Sequence, residues 1–166
     1  MTSTDITRIL ATKHWNFLDQ IIVPRCKFTG YEADILVLNK NDWLEEVEIK
    51  ISAADFKREF KSKKLKHKKL VYGIKKYKST VIDNHLIHKF WFAMPSDLAD
   101  SLINDIPDYA GLLSIKIVGK KFIVEILKSA PDLIHGRKLL DKERTKLMRL
   151  AYIRFWNKEN LKLMDL

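Results

Sequence analysis

The sequence predicts a single α/β domain in which a mixed β-sheet is flanked by α-helices. Three observations predict it. Short β-rich apolar runs alternate along the chain with segments of helical apolar spacing. Turn and capping chemistry, rather than linkers or repeats, separates those segments across residues 1–166. The 166 residues, 46% of them apolar, also suffice for one core of ordinary size.

The first helix is expected over residues 5–18, where Ile6, Ile9, Leu10 and Trp15 recur at helical spacing and Ser3 or Thr4 can cap. "QIIVPRCKF" (20–28) reads as an edge strand, because Pro24 has no N–H to give a central ladder. "ADILVLN" and "WLEEVEIKIS" are strands joined through the turn residues "NKND" (39–42), a hairpin. "SAAD" (52–55) has capping-box spacing and opens a helix that runs into a lysine-rich stretch and is interrupted at Gly73. "LIHKFWFAMP" (86–95) is a buried strand ended by Pro95. A short helix capped by Ser96 follows, then two strands separated at Gly119-Lys120. The closing helix starts at Leu140 or Asp141 and takes its apolar face from "LMRLAYIRFW". Trp15, Trp43, Trp91 and Trp156 are assigned to the core.

Composition excludes several classes. No stretch approaches the roughly 20 apolar residues of a membrane span. The N-terminal "MTSTDITRIL" lacks a basic segment leading into an apolar one, so no secretory signal is expected. The single cysteine, Cys26, makes no disulfide within the chain, which agrees with a reducing, cytoplasmic location. The charge is more informative. Residues 57–78, "KREFKSKKLKHKKLVYGIKKYK", hold eleven Lys/Arg and one Glu, so this stretch carries the whole net charge of +10. Such localisation is the electrostatic footprint of a nucleic-acid partner. Lys57, Arg58, Lys61, Lys63, Lys64, Lys66, His67, Lys68, Lys69, Lys75, Lys76 and Lys78 are the expected phosphate contacts. A solvated lysine face kept for solubility is the plainer reading. An anionic membrane surface fits less well, because the run lacks a continuous apolar stripe.

The strand "WLEEVEIKIS" carries a puzzle. Glu46, Glu48 and Lys50 alternate with Val47, Ile49 and Ile51, so one face is packed and the other is charged. Strand geometry spaces the three charges about 6.7 Å apart on that face. Asp34 opens the neighbouring strand, where its carboxylate can approach Glu48. Two close carboxylates repel unless a cation lies between them, and hard oxygen ligands favour Mg2+ or Mn2+. An adjacent lysine can hold an attacking water or neutralise charge on a phosphate. A half-wet strand with no chemistry is the alternative. The same tripeptide spacing recurs at Asp55-Phe56-Lys57, but there it lies past a helix cap.

Asp34 followed by "EVEIKIS" resembles the PD-(D/E)XK nuclease superfamily, whose signature is an acid, then acid-x-lysine on the next strand. Over residues 30–155, "EADILVLN", "VEIKISAADFKREF", "HKFWFAMP", "IPDYAGLLSI" and "ILKSAPD" are similar in order and kind to the MmcB-like DNA repair proteins and related phage proteins. The resemblance implies a restriction-endonuclease-like fold. It implies that Asp34 and Glu48 bind the metal, with the Ile49 carbonyl completing its shell, and that Lys50 is the catalytic lysine. Ala33 stands where the signature names proline. For the superfamily's additional acid, the first helix offers only Asp5 and Asp19, and Glu46 is the other candidate on the right face.

The remaining candidates have plainer roles. Ser52 is a helix cap, and His85 and His88 point to opposite faces of a strand. Tyr72 and Tyr77 could stack on bases, but more simply anchor the basic segment to the core. Arg144, Arg149 and Arg154 flank the apolar stripe of the last helix. The expected function is a Mg2+- or Mn2+-dependent DNA endonuclease in DNA repair or phage DNA processing, with DNA as partner and a homodimer left open. The alternatives are a DNA-binding repair accessory protein of the same fold that does not cut, and an interaction module whose lysines bind an acidic protein.

Overall fold

In the computed structural model, which describes residues 1–15, 19–72, 74–75, 82–83, 86–119 and 121–163, the β-rich runs assemble into a six-stranded mixed sheet. Its strands are β1 (Ile21–Lys27), β2 (Glu32–Leu38), β3 (Leu44–Ile49), β6 (Ile87–Pro95), β7 (Gly111–Val118) and β8 (Lys121–Lys128), in that spatial order. Two residue pairs, β4 (Ile74–Lys75) and β5 (Ile82–Asp83), form a separate ribbon. β1 to β3 run antiparallel as a meander, β3, β6 and β7 are parallel, and β8 returns antiparallel. Pro24 lies on the edge strand, as its missing N–H requires.

Parallel neighbours need crossovers, and helices supply them. α2 (Ala53–Ser62) and α3 (Lys64–Tyr72) lie between β3 and β6, and α4 (Ser96–Leu102) lies between β6 and β7. α1 (Ser3–Ile9) opens the chain and α5 (Asp141–Leu163) closes it. Ser52 Oγ caps α2 by accepting from Asp55 N–H at 3.2 Å. The cap of α1 is Thr2 rather than Ser3 or Thr4. Thr2 Oγ1 accepts from Asp5 N–H, and the Asp5 carboxylate accepts from Thr2 N–H. That reciprocal pair selects Thr2, because Asp5 stands three residues after it. Residues 10–14 continue α1 as a π-helical turn that ends at His14, short of the expected end at 18, because Trp15 leaves the helix in an extended conformation.

Two cores cover the two sheet faces. Ile6, Ile9, Leu10 and Trp15 pack on Ile35, Val37, Val47, Ile49 and Trp91. On the opposite face, Phe56 of α2, Leu70 of α3, Leu102 of α4 and Leu147 of α5 pack on Leu36, Phe90, Phe92 and Leu112. The domain is therefore a helix–sheet–helix sandwich. Among the described residues, no helix is long and apolar enough to cross a membrane.

Candidate functional site

Alternation along β3 turns Val47 and Ile49 toward α1, and Glu46 and Glu48 toward α2 and α3. Lys50, just past the strand, reaches the same side. The charged face is neither wet nor open. Glu46 and Glu48 are 1% exposed and Lys50 is 5% exposed. The half-wet strand considered as the alternative is thus corrected, because α2 and α3 cover the charged face.

The β2–β3 register pairs Ile35 with Val47, and one further step sets Asp34 opposite Glu48. Asp34 Oδ2 accepts a hydrogen bond from Ile49 N–H at 2.8 Å. Burial and the neighbouring Glu48 charge push the Asp34 carboxyl pKa upward, partly offset by the Ile49 hydrogen bond and by Lys50 and Lys63. The sequence-predicted trio of Asp34, Glu48 and Lys50 is therefore gathered on one face, with the Ile49 backbone between them.

The covering helices bring their own charges inside. Lys63, at the junction of α2 and α3, places its ammonium 2.9 Å from both oxygens of Glu48. Lys66 of α3, 3% exposed, reaches both Glu46 Oε1 and Glu48 Oε1 at 2.5 Å. Glu59 of α2, 3% exposed, accepts from Lys50 at 2.8 Å and pairs with Lys63 at 3.2 Å. Buried charges persist only when paired in this way.

The pKa values follow from the partners. For Lys66, burial favours the neutral amine, but Glu46 and Glu48 outweigh it and raise its pKa. Glu46 goes the other way, because burial outweighs the ammonium of Lys66 and the weaker pull of Lys63, and the nearby Glu48 adds repulsion. At Lys50 burial is likewise outweighed, by Glu48 and Glu59, and the pKa rises. Burial pushes Glu59 up, yet the hydrogen bond from Lys50, the nearby His67 ring and the charges of Lys66 and Lys50 hold it well below the carboxylate range.

A carboxylate depressed on folding contributes stability that is present above its ordinary value of 4.5 and is lost as the pH falls below it. The stability lost in Glu59→Gln is therefore expected to be large at pH 7 and to shrink at pH 3, as read from urea midpoints at both pH values. A gap of equal size at the two would show that the Glu59 charge contributes nothing.

Aromatic rings underlie the cluster. His67 Nδ1 and Tyr109 Oη lie 2.8 Å apart, and His67 Nε2 is 3.4 Å from Glu59 Oε1. Phe60, Phe90 and Phe92 surround the His67 ring.

The basic segment divides. Lys57, Arg58, Lys61, Lys64 and Lys68 are exposed, and Lys69 is half-buried with its ammonium over the Tyr31 ring. Lys63, Lys66 and His67 are corrections to the expected phosphate contacts, since Lys63 points at Glu48 and the other two are buried among carboxylates and rings. Tyr72 is also a correction, being 67% exposed rather than anchored. Lys75 lies in β4 by its backbone, while Gly73, Lys76, Tyr77, Lys78 and His85 lie outside the described residues. Glu59 was missed as a site residue. Its signal was present, for it is the lone acid in a run of eleven cations.

Two facing carboxylates and a carbonyl form a sparse donor set. Among the described residues, no group of three or more His, Cys, Asp or Glu is gathered to hold a metal. The set still fits Mg2+ or Mn2+. Such ions are commonly bound by one or two carboxylates, with water and phosphate completing the shell. The raised pKa of Asp34 is also relieved by an added cation.

Fold and site together define a mixed α/β domain with a carboxylate–lysine centre on one face of its sheet. Among solved structures it is similar to SPO1766, a protein of unknown function from Silicibacter pomeroyi. The TM-score is 0.52 at 18% identity, over 85% of this chain and 77% of that one. That likeness extends to the fold alone. No protein-family profile matches the chain, and comparison with curated proteins finds no match.

Proposed function

We propose that this protein is a metal-dependent DNA nuclease of the PD-(D/E)XK kind, acting in the cytoplasm in DNA repair or phage DNA processing. The observation that carries the proposal is the meeting of Asp34 and Glu48 at facing positions of β2 and β3, with Lys50 beside them. Asp34, Glu48 and the Ile49 carbonyl would hold Mg2+ or Mn2+. Bound there, the ion supplies Lewis-acid polarisation of a phosphate and a water acidified toward neutral pH. Lys50, held charged by Glu48 and Glu59, orients the attacking water and offsets negative charge developing on the phosphate. The outer lysines of α2 and α3 supply sequence-independent backbone contacts.

The test is calorimetric titration of Mg2+ and Mn2+ into wild type and Asp34→Asn, with cleavage of duplex, single-stranded and branched DNA scored in parallel. Asp34→Asn removes a ligand at a half-buried position, so the fold is expected to survive it. Loss of both metal binding and cleavage in the variant supports the nuclease. A wild type that binds no metal, even with DNA present, would sink it.

A second reading has its own observation. Lys63 and Lys66 already supply cations to both Glu48 oxygens, which favours a protein that keeps the fold, binds DNA and does not cut. DNA binding is common to both readings. With the exposed lysines and Arg58 on phosphates, affinity is expected to fall by about a thousandfold between 50 and 200 mM salt. Fluorescence anisotropy measures it, and a salt-independent constant would rule out the phosphate contacts.

A further inference from the structure

Lys66 is the most enclosed cation of the site. It belongs to the basic run, yet it is 3% exposed and its ammonium stands between Glu46 Oε1 and Glu48 Oε1, 2.5 Å from each, with Glu59 Oε1 at 3.7 Å. The Phe90 ring closes the site beneath it, 4.9 Å from Nζ to the centroid. Three carboxylates thus converge on one tethered ammonium. Lys63 differs, because its side chain is 27% exposed and can exchange its contact for water. Among the described residues, Lys66 is the ion-pair partner that Glu46 has within 4 Å. Two buried carboxylates this near one ammonium repel each other strongly without it.

We propose that the Lys66 ammonium is the resident cation of the Glu46–Glu48 pair, so that this pair takes no divalent ion while Lys66 is in place. The inference extends the proposed metal chemistry and rests on it. It assigns Asp34 and Glu48 to the ion the protein recruits, and Glu46 with Glu48 to a cation the chain carries itself. An ammonium on a short helix is fixed in number and position, unlike a second recruited ion. It neutralises the inner carboxylates without lowering the pKa of a second water, because it has no open coordination position. The site is then a one-ion centre by construction.

Manganese bound per chain, counted by calorimetry and by electron paramagnetic resonance, tests this in wild type, Lys66→Gln and Lys116→Gln. Lys66→Gln is expected to take one ion more than wild type. Lys116→Gln, an exposed substitution on β7 with the same charge change, is expected to match wild type. The wild-type count bears on the nuclease reading, which fails if that count is zero. The difference between Lys66→Gln and wild type alone decides the role of Lys66, and equal counts overturn it. If Lys66→Gln is unfolded without metal, circular dichroism replaces the count. Folding on addition of manganese then supports the assignment, and a chain still unfolded at saturating manganese overturns it.

Discussion

Glu48→Ala is expected to lower folding stability by about 3–5 kcal/mol and to abolish divalent-metal binding in the same protein. The carboxylate is 1% exposed and accepts from three ammonium groups, those of Lys50, Lys63 and Lys66. Without it, Lys63 regains water because it is already part-exposed, but Lys66 keeps only Glu46 and Glu59. Removing one partner of a buried ion pair leaves an uncompensated charge, and that penalty exceeds what the pair contributes net. Glu48→Gln retains an acceptor of the same shape, so a smaller loss of stability is expected, with metal binding still lost. Guanidinium denaturation and calorimetry measure the two effects separately. Metal binding that survives Glu48→Ala would remove this residue from the site, whatever happened to stability.

Phe92→Ala is expected to cost about 3–5 kcal/mol through the cavity it leaves. Phe92 is fully buried, and its ring centroid lies 5.1 Å from that of Phe56 and 5.2 Å from that of Phe90. It is also Glu48's register partner across β3 and β6, and its ring stacks near His67 at 6.4 Å. The cavity therefore opens directly beside the charged cluster, and metal affinity should weaken along with stability. Ile126→Ala, on a side chain 53% exposed, is the control and should stay within about 0.5 kcal/mol of wild type. A Phe92→Ala protein as stable as that control would mean that the face under α2 and α3 is not a packed core.

Much of the architecture was legible because it is written in local patterns. Continuous apolar runs marked β2 and β6, alternation marked β3, the "NKND" turn marked the hairpin, and Ser52 marked the start of α2. Asp34, Glu48 and Lys50 could be placed on one face because strand alternation is a property of the backbone. The Thr2 cap was equally local, but three adjacent hydroxyl residues compete there and only the reciprocal bond with Asp5 separates them. The break between α2 and α3 had no local mark. No glycine or proline stands at Lys63, whose side chain instead goes to Glu48 on another element.

Local patterning alone sets the alternation of strands and helices, the sidedness of β3 and the concentration of positive charge in one stretch. It also held a faint helical stripe, Phe56, Glu59, Lys63, Lys66 and Leu70, at spacings of three and four. Tertiary structure decided what that stripe faces. A lysine-rich run reads as surface because an isolated ammonium cannot leave water, and nothing within the run reveals that Lys66 and Glu59 will meet partners. Those partners lie on β3 and at Lys50 just past it, up to twenty residues earlier, and only the packing of α2 and α3 onto the sheet brings the opposite charges close enough to replace the water both give up.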